Sequence, residues 1–498
     1  MKNECNSITN CIKEEQCVGC GACVSICPVD ALAFKKDKWG YYVPELDRER
    51  CINCGKCVTT CPVYSHRESE NAEDTKAYCF VSVDKELLEK SSSGGVFSHL
   101  SRIILKDGGL VFGVEWTKEH TAKHAAISDE EDLYRFQKSK YMQSYTGTIF
   151  RNVKAALLEG KKVLFSGCPC QVAGLKQYLG KAYVNLYLID LLCGNSPSAE
   201  FFKTYVKEEF DDDLKSYEFR YKAGAWRSDC EQINLISGDS IVRTGMEADS
   251  YQSVYHDHTM CAPHCENCMF HSIPRYGDLS IGDFWGISRF KPDLDTSSGV
   301  SVVLVNNEKG TKLFDLIPKN EIGLLDEVPL DWIGGNGYLG KNSSNFISPF
   351  RDLFYKEYLL NGFHAAVNAV DRERSAYMKL RYLGDFNLLR DWMMLKQSGV
   401  NPGDKFIAKG YKHIAVYGMG DVGKLLIEEL KYSDVKVLYS IDRNPRIGYK
   451  DVKIYGLSEE EYPAVDAIVV TVAWDMENVL KKLDGKTESE IISIREIF

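Results

Sequence analysis

The chain has 498 residues, of which 44% are hydrophobic, and a formal net charge of -10. Its length predicts roughly two to four domains with well-buried cores. The net negative charge excludes a basic surface for binding nucleic acid or an anionic membrane. We interpret the acidic side chains as a solvated surface without a specific partner.

The sequence lacks signals for export or membrane insertion. Residues Met1 to Cys5 have no apolar stretch of the signal-peptide kind, and no run of about eighteen apolar residues occurs. We therefore expect a cytoplasmic protein without a transmembrane segment. Without an export signal, the 18 cysteines predict reduced thiols and metal ligands rather than a disulfide framework.

Eight cysteines form two matched runs near the start of the chain. They are Cys17, Cys20, Cys23 and Cys27, followed by Pro28, and then Cys51, Cys54, Cys57 and Cys61, followed by Pro62. Both runs have the spacing of bacterial ferredoxins, in which three thiolates bind one [4Fe-4S] cluster and the fourth binds the other. The spacing therefore predicts two neighbouring [4Fe-4S] clusters.

The crossing of the fourth cysteine assigns the ligands. The first cluster takes Cys17, Cys20, Cys23 and Cys61, and the second takes Cys51, Cys54, Cys57 and Cys27. Structural zinc usually takes two close pairs of ligands, so two runs that each end in Cys-Pro favour clusters. These residues resemble the two-cluster ferredoxin domain, which we place at residues 1–70.

From residue 76 onward, strand and helix patterns alternate. The predicted strands include Ala77–Val83, Leu110–Val114, Lys162–Ser166 and Tyr183–Asp190, and the predicted helices include Val96–Leu105, Thr148–Leu158, Gln171–Tyr178 and Ala199–Phe210. This alternation predicts α/β architecture, in which loops at the carboxyl ends of the strands bind ligands. We place one oxidoreductase domain at residues 76–400.

Several loops of this domain are candidates for ligand contact. The run Ser91 to Gly95 precedes a helix, so its hydroxyl and N–H groups suit a phosphate or a flavin edge, although a simple helix cap explains them too. Polar turns at 139–144, 167–171 and 190–194 either bind a ligand or are ordinary connections with buried cysteines.

A third cysteine group lies at Cys261, Cys265 and Cys268. Three thiolates at this spacing need a fourth ligand, for which Cys193 is the first candidate and Cys170 the second. Zinc is the alternative, because His264 or His271 could complete a Cys3His site. A third [4Fe-4S] cluster is favoured, since the chain already has two predicted clusters.

Together these motifs resemble the beta-subunit family of coenzyme F420-reducing hydrogenase and dehydrogenase. The resemblance spans about residues 76–317. It rests on SSSGG at 91–95, SKYMQS at 139–144, GCPCQVAGLK at 167–176, the third cysteine group, and GDFWGI at 282–287. It implies an iron–sulfur flavoprotein that carries FAD beside a [4Fe-4S] cluster.

The resemblance also implies a set of flavin-binding residues. These are Ser93, Gly94, Gly95, Lys140, Gln143, Pro169, Cys170, Gln171 and Asp283, with Asp278 and Trp285 supporting the flavin and third-cluster region. Two positions depart from the family pattern. Cys168 stands where threonine is expected, and Gly194 follows Cys193 where histidine is expected, so the resemblance implies the cofactors rather than the substrate.

The last domain, at residues 405–498, has the pattern of a small Rossmann-like fold. Strand His413–Tyr417 is followed by a G-x-G-x-x-G turn with Gly418, Gly420 and Gly423, and a second strand ends at Asp442. The stretches 414–423 and 441–445 resemble the nucleotide-sugar-binding domain of bacterial sugar acyltransferases. A nucleotide, a nucleotide sugar or NAD is the expected ligand, and a purely structural module is the alternative.

The sequence therefore predicts an α/β multidomain oxidoreductase that passes electrons between clusters and FAD. Ferredoxin or another redox protein is the expected partner. The substrate is a small organic molecule, for which a deazaflavin coenzyme or a precursor in polysaccharide synthesis are candidates. Two alternatives are an electron-relay subunit of a hydrogenase or dehydrogenase complex, and a flavin-free redox scaffold.

Overall fold

A computed structural model describes residues 6–71, 74–223, 225–226, 229–245, 250–336, 348–442, 449, 451–457 and 459–498. Predicted features at residues 1–5 and 443–445 lie outside these ranges. The chain divides into two compact units, Met1–Ala369 and Val370–Phe498. Both units combine helices with parallel strands, which confirms the predicted α/β class.

The dicluster module opens the first unit. Its elements are α1 (Ala22–Ile26), β1 (Leu32–Lys36), β2 (Tyr42–Leu46) and α2 (Lys56–Thr59). Strands β1 and β2 pair antiparallel, with Leu32 opposite Leu46. Each helix begins directly after a glycine with left-handed backbone, Gly21 or Gly55, which lets the cysteine loop turn sharply into the helix.

The rest of the first unit alternates strands and helices. In chain order they are β3 (Lys76–Ser82), α3 (Lys85–Glu89), α4 (Val96–Lys106), β4 (Leu110–Trp116), β5 (Ala122–Ile127), β6 (Ser144–Tyr145), α5 (Ile149–Leu158), β7 (Val163–Gly167), α6 (Pro169–Leu179), β8 (Leu186–Leu191), α7 (Ala199–Phe210), β9 (Leu214–Glu218), β10 (Cys230–Leu235), β11 (Ser240–Thr244), α8 (Ser250–His256), β12 (Leu279–Asp283), β13 (Ser301–Val305), α9 (Glu308–Phe314), β14 (Ile322–Val328) and α10 (Arg351–Asn361).

One mixed sheet organises this unit, in the strand order β14-β3-β13-β12-β8-β7-β4-β5-β6. Strands β4, β7, β8 and β12 run parallel at its centre. Their shared direction places the loops after β7, β8 and β12 at one edge, and these loops carry Cys168, Cys193 and Trp285. Strands β9 to β11 form a separate antiparallel sheet.

The dicluster module packs against helices α5 and α6, which lie on one face of the mixed sheet. Val18, Cys20 and Ala22 share an apolar core with Phe165 of β7 and Leu175 of α6. The approach is close at Gly174, where a Cβ atom would lie 2.8 Å from the Cys20 Sγ.

The side chain of Arg151 in α5 binds backbone carbonyl groups of the dicluster module. Its guanidinium donates to the carbonyl oxygens of Ser25 at 2.8 Å and Cys27 at 3.0 Å, and it pairs with Asp30 at 2.6 Å. The contacts with two carbonyl groups hold the loop that carries Cys27 against the sheet domain.

Helix α11 (Phe363–Gln397) continues into the second unit. The remaining elements are α12 (Pro402–Ala408), β15 (His413–Tyr417), α13 (Asp421–Leu430), β16 (Lys436–Ile441), β17 (Ile454–Tyr455), β18 (Ala467–Val470), α14 (Met476–Leu483) and β19 (Glu490–Ser493). The strands form a parallel sheet in the order β17-β16-β15-β18-β19. Strand β15 lies at the centre of this sheet, and the glycine-rich turn follows it in the chain.

Two findings bear on the expected environment of the chain. In the part of the chain that the structure describes, no helix is both long and apolar enough to cross a membrane. Sixteen cysteines among the described residues are free thiols, whereas Cys11 is disulfide-bonded, which differs there from the reduced thiol that we expected.

Candidate functional site

The eight cysteines of the dicluster module surround two small cavities. One is lined by Cys17, Cys20, Cys23 and Cys61 together with apolar side chains such as Ile8 and Phe34. The other is lined by Cys27, Cys51, Cys54 and Cys57. The fold thus brings together the two predicted ligand sets, including the crossing of the fourth cysteine in each run.

The donors in these cavities suit iron–sulfur clusters. Burial raises the pKa of the Cys17 thiol to about 12, and a bound metal would offset this by stabilising the thiolate. Backbone N–H groups approach the sulfurs, with Gly19 N at 3.5 Å from Cys17 Sγ and Ala31 N at 3.2 Å from Cys27 Sγ. Such donors also tune cluster potentials. Ligation at these eight positions stays a prediction.

A third thiol-lined cavity lies at the sheet edge. It measures about 40 Å³ and is lined by Cys168, Cys170, Cys193, Cys265 and Cys268. Both candidates for the fourth ligand, Cys193 and Cys170, therefore reach it. Cys261 lies beside it, where its thiol is hydrogen-bonded to that of Cys265.

Burial and neighbouring thiols define the electrostatics here. A hydrogen bond with Cys168, together with burial, raises the pKa of Cys193, and burial raises that of Cys268 to about 12. His264 and His271 also line the cavity, so the residues proposed for zinc lie at the same place. Within the described ranges, no three His, Cys, Asp or Glu side chains are placed to hold one metal ion.

A buried ion pair joins the segment after the third cysteine group to the strand that precedes Cys193. Arg275 and Asp190 are both fully buried, with Nη2 2.6 Å from Oδ1. Arg275 also donates to the carbonyl oxygens of His271 and Leu191, each at 2.8 Å. The pair therefore ties the loop after Cys268 to the end of β8, two residues before Cys193.

A much larger cavity, of about 520 Å³, adjoins the third thiol-lined cavity. Five residues line both, so the two share a wall: Cys168, Gln171, Cys193, Gly194 and Ser196. Cavities of this size are typical of cofactor and small-molecule sites. It opens at the carboxyl edge of the parallel strands, where the α/β sheet was predicted to bind a ligand.

The predicted flavin residues divide between the two cavities. Ser93, Gly95, Lys140, Gln171 and Asp283 line the large one, together with Trp285. Gln143, Pro169 and Cys170 line the thiol cavity, which Gln171 also reaches. Gln143 contacts the dicluster module instead of the large cavity, because its Oε1 accepts a 2.9 Å hydrogen bond from Tyr42 N.

The two glycines of the serine-rich run have packing roles. A Cβ atom at Gly94 would lie 2.1 Å from the carbonyl oxygen of Phe80, and one at Gly95 would lie 2.3 Å from Leu87 Cδ2. Gly95 also has a φ of +89°. These glycines therefore seat the loop against β3 and α3, and Gly94 is not among the residues that line the cavity.

Asp278 also supports the fold rather than the cavity. Its Oδ2 accepts a hydrogen bond from Leu188 N at 2.8 Å, and its Oδ1 accepts one from Asn307 Nδ2 at the same distance. These contacts fix the start of β12 beside β8.

The sequence did not single out Arg220, which dominates one wall of the large cavity. Its guanidinium is almost fully buried and binds Asp283 through two hydrogen bonds, of 2.7 and 2.9 Å. It also lies over the Trp285 ring, 5.2 Å from the centroid. Burial opposes its charge, but Asp283 and Tyr141 outweigh burial and raise the pKa of Arg220.

Two lysines add positive charge to the same cavity. Lys140 Nζ donates to the carbonyl oxygen of Gln137 at 2.9 Å, and Lys138 Nζ donates to that of Arg220 at 3.1 Å. Burial lowers the pKa of Lys140 to about 7 and also lowers that of Lys138. Lys138 also pairs with Glu218 at 3.5 Å, so Lys140, with its pKa of about 7, is the lysine whose charge responds most to an anion bound beside it.

In the second unit, Asp442 lies beside the glycine-rich turn, and nucleotide binding there stays a prediction. Asp442 Oδ2 accepts a hydrogen bond from Met419 N at 2.6 Å. Gly418 has a φ of +95°, and a Cβ at Gly423 would lie 2.0 Å from the Gly418 carbonyl oxygen, so both are required by the fold. A Cβ at Gly420 would meet nothing within 4 Å, which leaves that position open.

Comparison with known proteins supports the two iron–sulfur regions. Residues 16–65 match the 4Fe-4S dicluster domain, and residues 160–328 match the C terminus of the coenzyme F420 hydrogenase/dehydrogenase beta subunit. A chain of the F420-reducing [NiFe] hydrogenase complex from Methanosarcina barkeri is similar at 16% identity and a TM-score of 0.36, covering 63% of this chain and 94% of that one. No curated protein matched.

These matches confirm the resemblance drawn from the motifs. The chain is an iron–sulfur redox protein related to F420 hydrogenase and dehydrogenase beta subunits. The second family match begins at residue 160, so the loops with Ser93 and Lys140 lie before it.

The geometry predicts different outcomes for the thiols that surround the third cavity. We expect Cys193→Ser to lower the iron content from about twelve to about eight atoms per chain, because one [4Fe-4S] cluster loses a ligand. Cys168→Ser, the matched control on the same wall, should keep about twelve. Iron and sulfide analysis of anaerobically purified protein measures both. Loss of iron in Cys170→Ser with retention in Cys193→Ser would move the fourth ligand to Cys170.

Proposed function

We propose that this protein is an iron–sulfur, flavin-dependent oxidoreductase with FAD in the cavity of about 520 Å³. The observation that carries the proposal is the succession of cavities. Val18 lines both the first dicluster cavity and the third thiol-lined cavity, which in turn shares a wall with the large one. Clusters in this order would form a relay that ends at the flavin.

The large cavity suits FAD in size and in charge. Its volume lies within the roughly 300 to 1,000 Å³ typical of ligand sites. Arg220, Lys138 and Lys140 supply cations for a pyrophosphate group. Ser93 Oγ is buried without a hydrogen-bond partner in the described structure, and Ser93 lines the cavity. An anionic ligand with polar edges would satisfy these groups.

The residues of this chain would hold and orient such a ligand. Asp283 fixes the plane of the Arg220 guanidinium, and its Oδ1 also accepts a 3.1 Å hydrogen bond from Trp226 Nε1. Trp226 and Trp285 stack at 4.4 Å, which keeps one side of the site apolar and excludes water. A bound flavin supplies the exchange between single electrons and a hydride.

The substrate is proposed as a small organic molecule that reaches the flavin through the open edge of the large cavity. The family match names coenzyme F420, and a deazaflavin is therefore the first substrate to test. A sugar-nucleotide acceptor is the second substrate to test. It ranks lower because it also requires that the C-terminal glycine-rich turn binds a ligand.

An electron-relay subunit of a larger hydrogenase or dehydrogenase complex is the competing function, and the family match is compatible with it. Both functions need the same cofactors. They differ in turnover, since a relay subunit would reduce no small molecule until its partner subunit is present. Assays with the isolated chain, reduced viologen and a deazaflavin separate the two.

The proposal predicts the cofactor content of the protein. Anaerobic purification should give about twelve iron atoms, about twelve sulfides and about one FAD per chain, without zinc. Measuring iron, zinc, sulfide and flavin on one sample tests all of these together. About eight irons with zinc and no flavin would instead indicate a dicluster module on a binding scaffold.

Lys140 predicts the pH dependence of FAD binding. Its pKa of about 7 means that the amine is mostly neutral above pH 7, so binding of the FAD pyrophosphate there must take up a proton. We expect affinity to fall as pH rises from 7 to 9, by up to about tenfold per pH unit. Fluorescence titration of flavin-depleted protein measures this.

The Lys140→Met variant should bind FAD at least about tenfold more weakly at pH 6.5 and lose most of the pH dependence. Lys106→Met, an exposed lysine at the end of α4, is the control and should behave as the unmodified protein. An unchanged pH profile in Lys140→Met would assign the proton uptake to another group.

The open position at Gly420 allows a test of the C-terminal domain. If the glycine-rich turn binds a sugar nucleotide or NAD, Gly420→Val should weaken binding by at least about tenfold, because its side chain would occupy the space of the ligand. Calorimetry measures the affinity, with Lys436→Val on the exposed side of β16 as control. If no nucleotide gives a heat of binding with the unmodified protein, the C-terminal domain is a purely structural module.

A further inference from the structure

Three of the four thiol groups of the predicted second cluster are more exposed than those of the first cluster, whereas the fourth, Cys57, is buried. Cys54 is exposed, and Cys27 and Cys51 are half-buried. The first-cluster ligands Cys17, Cys20, Cys23 and Cys61 are all buried. Of the two dicluster cavities, the one at Cys54 therefore lies nearer the protein surface.

The loop that covers this cavity presents an apolar centre. Ile52 lines the cavity and is nevertheless 60% exposed. Asn53 and Gly55 have positive φ values of 53° and 69°, so the backbone turns tightly around the exposed Cys54. A short apolar surface this close to a redox centre is the arrangement expected of a contact for electron transfer.

Cations flank this apolar centre. Arg48, Arg50 and Lys56 are exposed, and Lys56 also lines the cavity. No ion pair is formed by these three side chains within the described structure. The nearby acidic residues are Asp47, whose carboxylate accepts hydrogen bonds from the backbone N–H groups of Glu49 and Arg50, and Glu49 itself.

The net charge of this short stretch has the opposite sign to the net charge of the whole chain. Three cations and two carboxylates lie in this short stretch, whereas the chain carries a net charge of -10. A second copy of the chain is a poor occupant, because a symmetric contact would place the same cations against each other. An acidic partner protein is attracted to this surface and gains the apolar contact at Ile52.

We infer that Arg48, Arg50, Ile52, Cys54 and Lys56 form the entry surface, the docking site for a small acidic one-electron carrier protein. This inference rests on the proposed function, because the entry surface is the end of the proposed cluster relay at which the electron donor would bind. In each encounter the carrier loses one electron and leaves oxidised, and this chain gains that electron. Two encounters supply the two electrons of one hydride transfer.

The experiment measures the reduction of the cluster-loaded, full-length protein by a reduced acidic two-cluster ferredoxin in anaerobic stopped flow. The variant Arg48→Glu/Arg50→Glu/Lys56→Glu should lower the second-order rate constant at least about tenfold at low ionic strength. For the unmodified protein, the rate constant should fall as salt is raised from about 0.02 to about 0.5 M, and the variant should lose this dependence.

The matched control carries the same change in net charge elsewhere. In Lys106→Glu/Lys118→Glu/Lys215→Glu, three exposed lysines outside the dicluster module are reversed, and the rate constant should stay within about twofold of the unmodified protein. The reduced methyl viologen cation should reduce all three proteins at similar rates, because a small cation does not depend on the entry surface.

Equal slowing of the two triple variants would overturn the inference, because it would show an effect of net charge alone. An unchanged rate constant in the entry-surface variant would overturn it too. Dimerisation of the unmodified protein that the same variant abolishes, with an unaltered ferredoxin rate, would assign the surface to a second copy. Failure of viologen to reduce the unmodified protein would instead count against the proposed function.

Discussion

The ion pair between Arg275 and Asp190 is the interaction on which the thiol-rich edge of the sheet depends. It joins the end of β8 to the loop after Cys268, which are far apart in the sequence. Removing one partner of such a buried pair costs about 3 to 5 kcal/mol, because an uncompensated charge remains. The cost would fall beside the wall between the thiol cavity and the large cavity, so this contact stabilises the part of the fold in which the two cavities adjoin.

Local patterns predicted much of the structure. Cysteine spacing predicted two ligand sets, and each set lines one of the two small cavities, with Cys27 and Cys61 each beside the cysteines of the other run. The central strands follow from alternation of apolar segments. The antiparallel strands β5, β13 and β14 were not predicted from the sequence.

Long-range contacts account for the features of the site that the sequence did not reveal. Arg220 follows β9, outside every motif, and reaches the large cavity only because Asp283 at the end of β12 holds it there. Gly94 packs against Phe80 and does not line the large cavity, whereas Gly95 lines the cavity and also lies against Leu87. Gln143 belongs to the contact with the dicluster module. Arg220 and Asp283 are far apart in the sequence, as are Gln143 and Tyr42, so no local pattern carries the information about these two contacts.

The exposure of Cys54 also has a consequence for the lifetime of the protein in air. Oxidation of thiolates follows their exposure, so a cluster bound as proposed at Cys54 would lie nearer to solvent than one bound at the buried thiols Cys17, Cys20 and Cys23. Oxidative damage would therefore begin at the outer end of the relay. With the relay that we propose, a protein damaged in this way would lose its supply of electrons before its inner sites are affected, so aeration would abolish its activity before it unfolds.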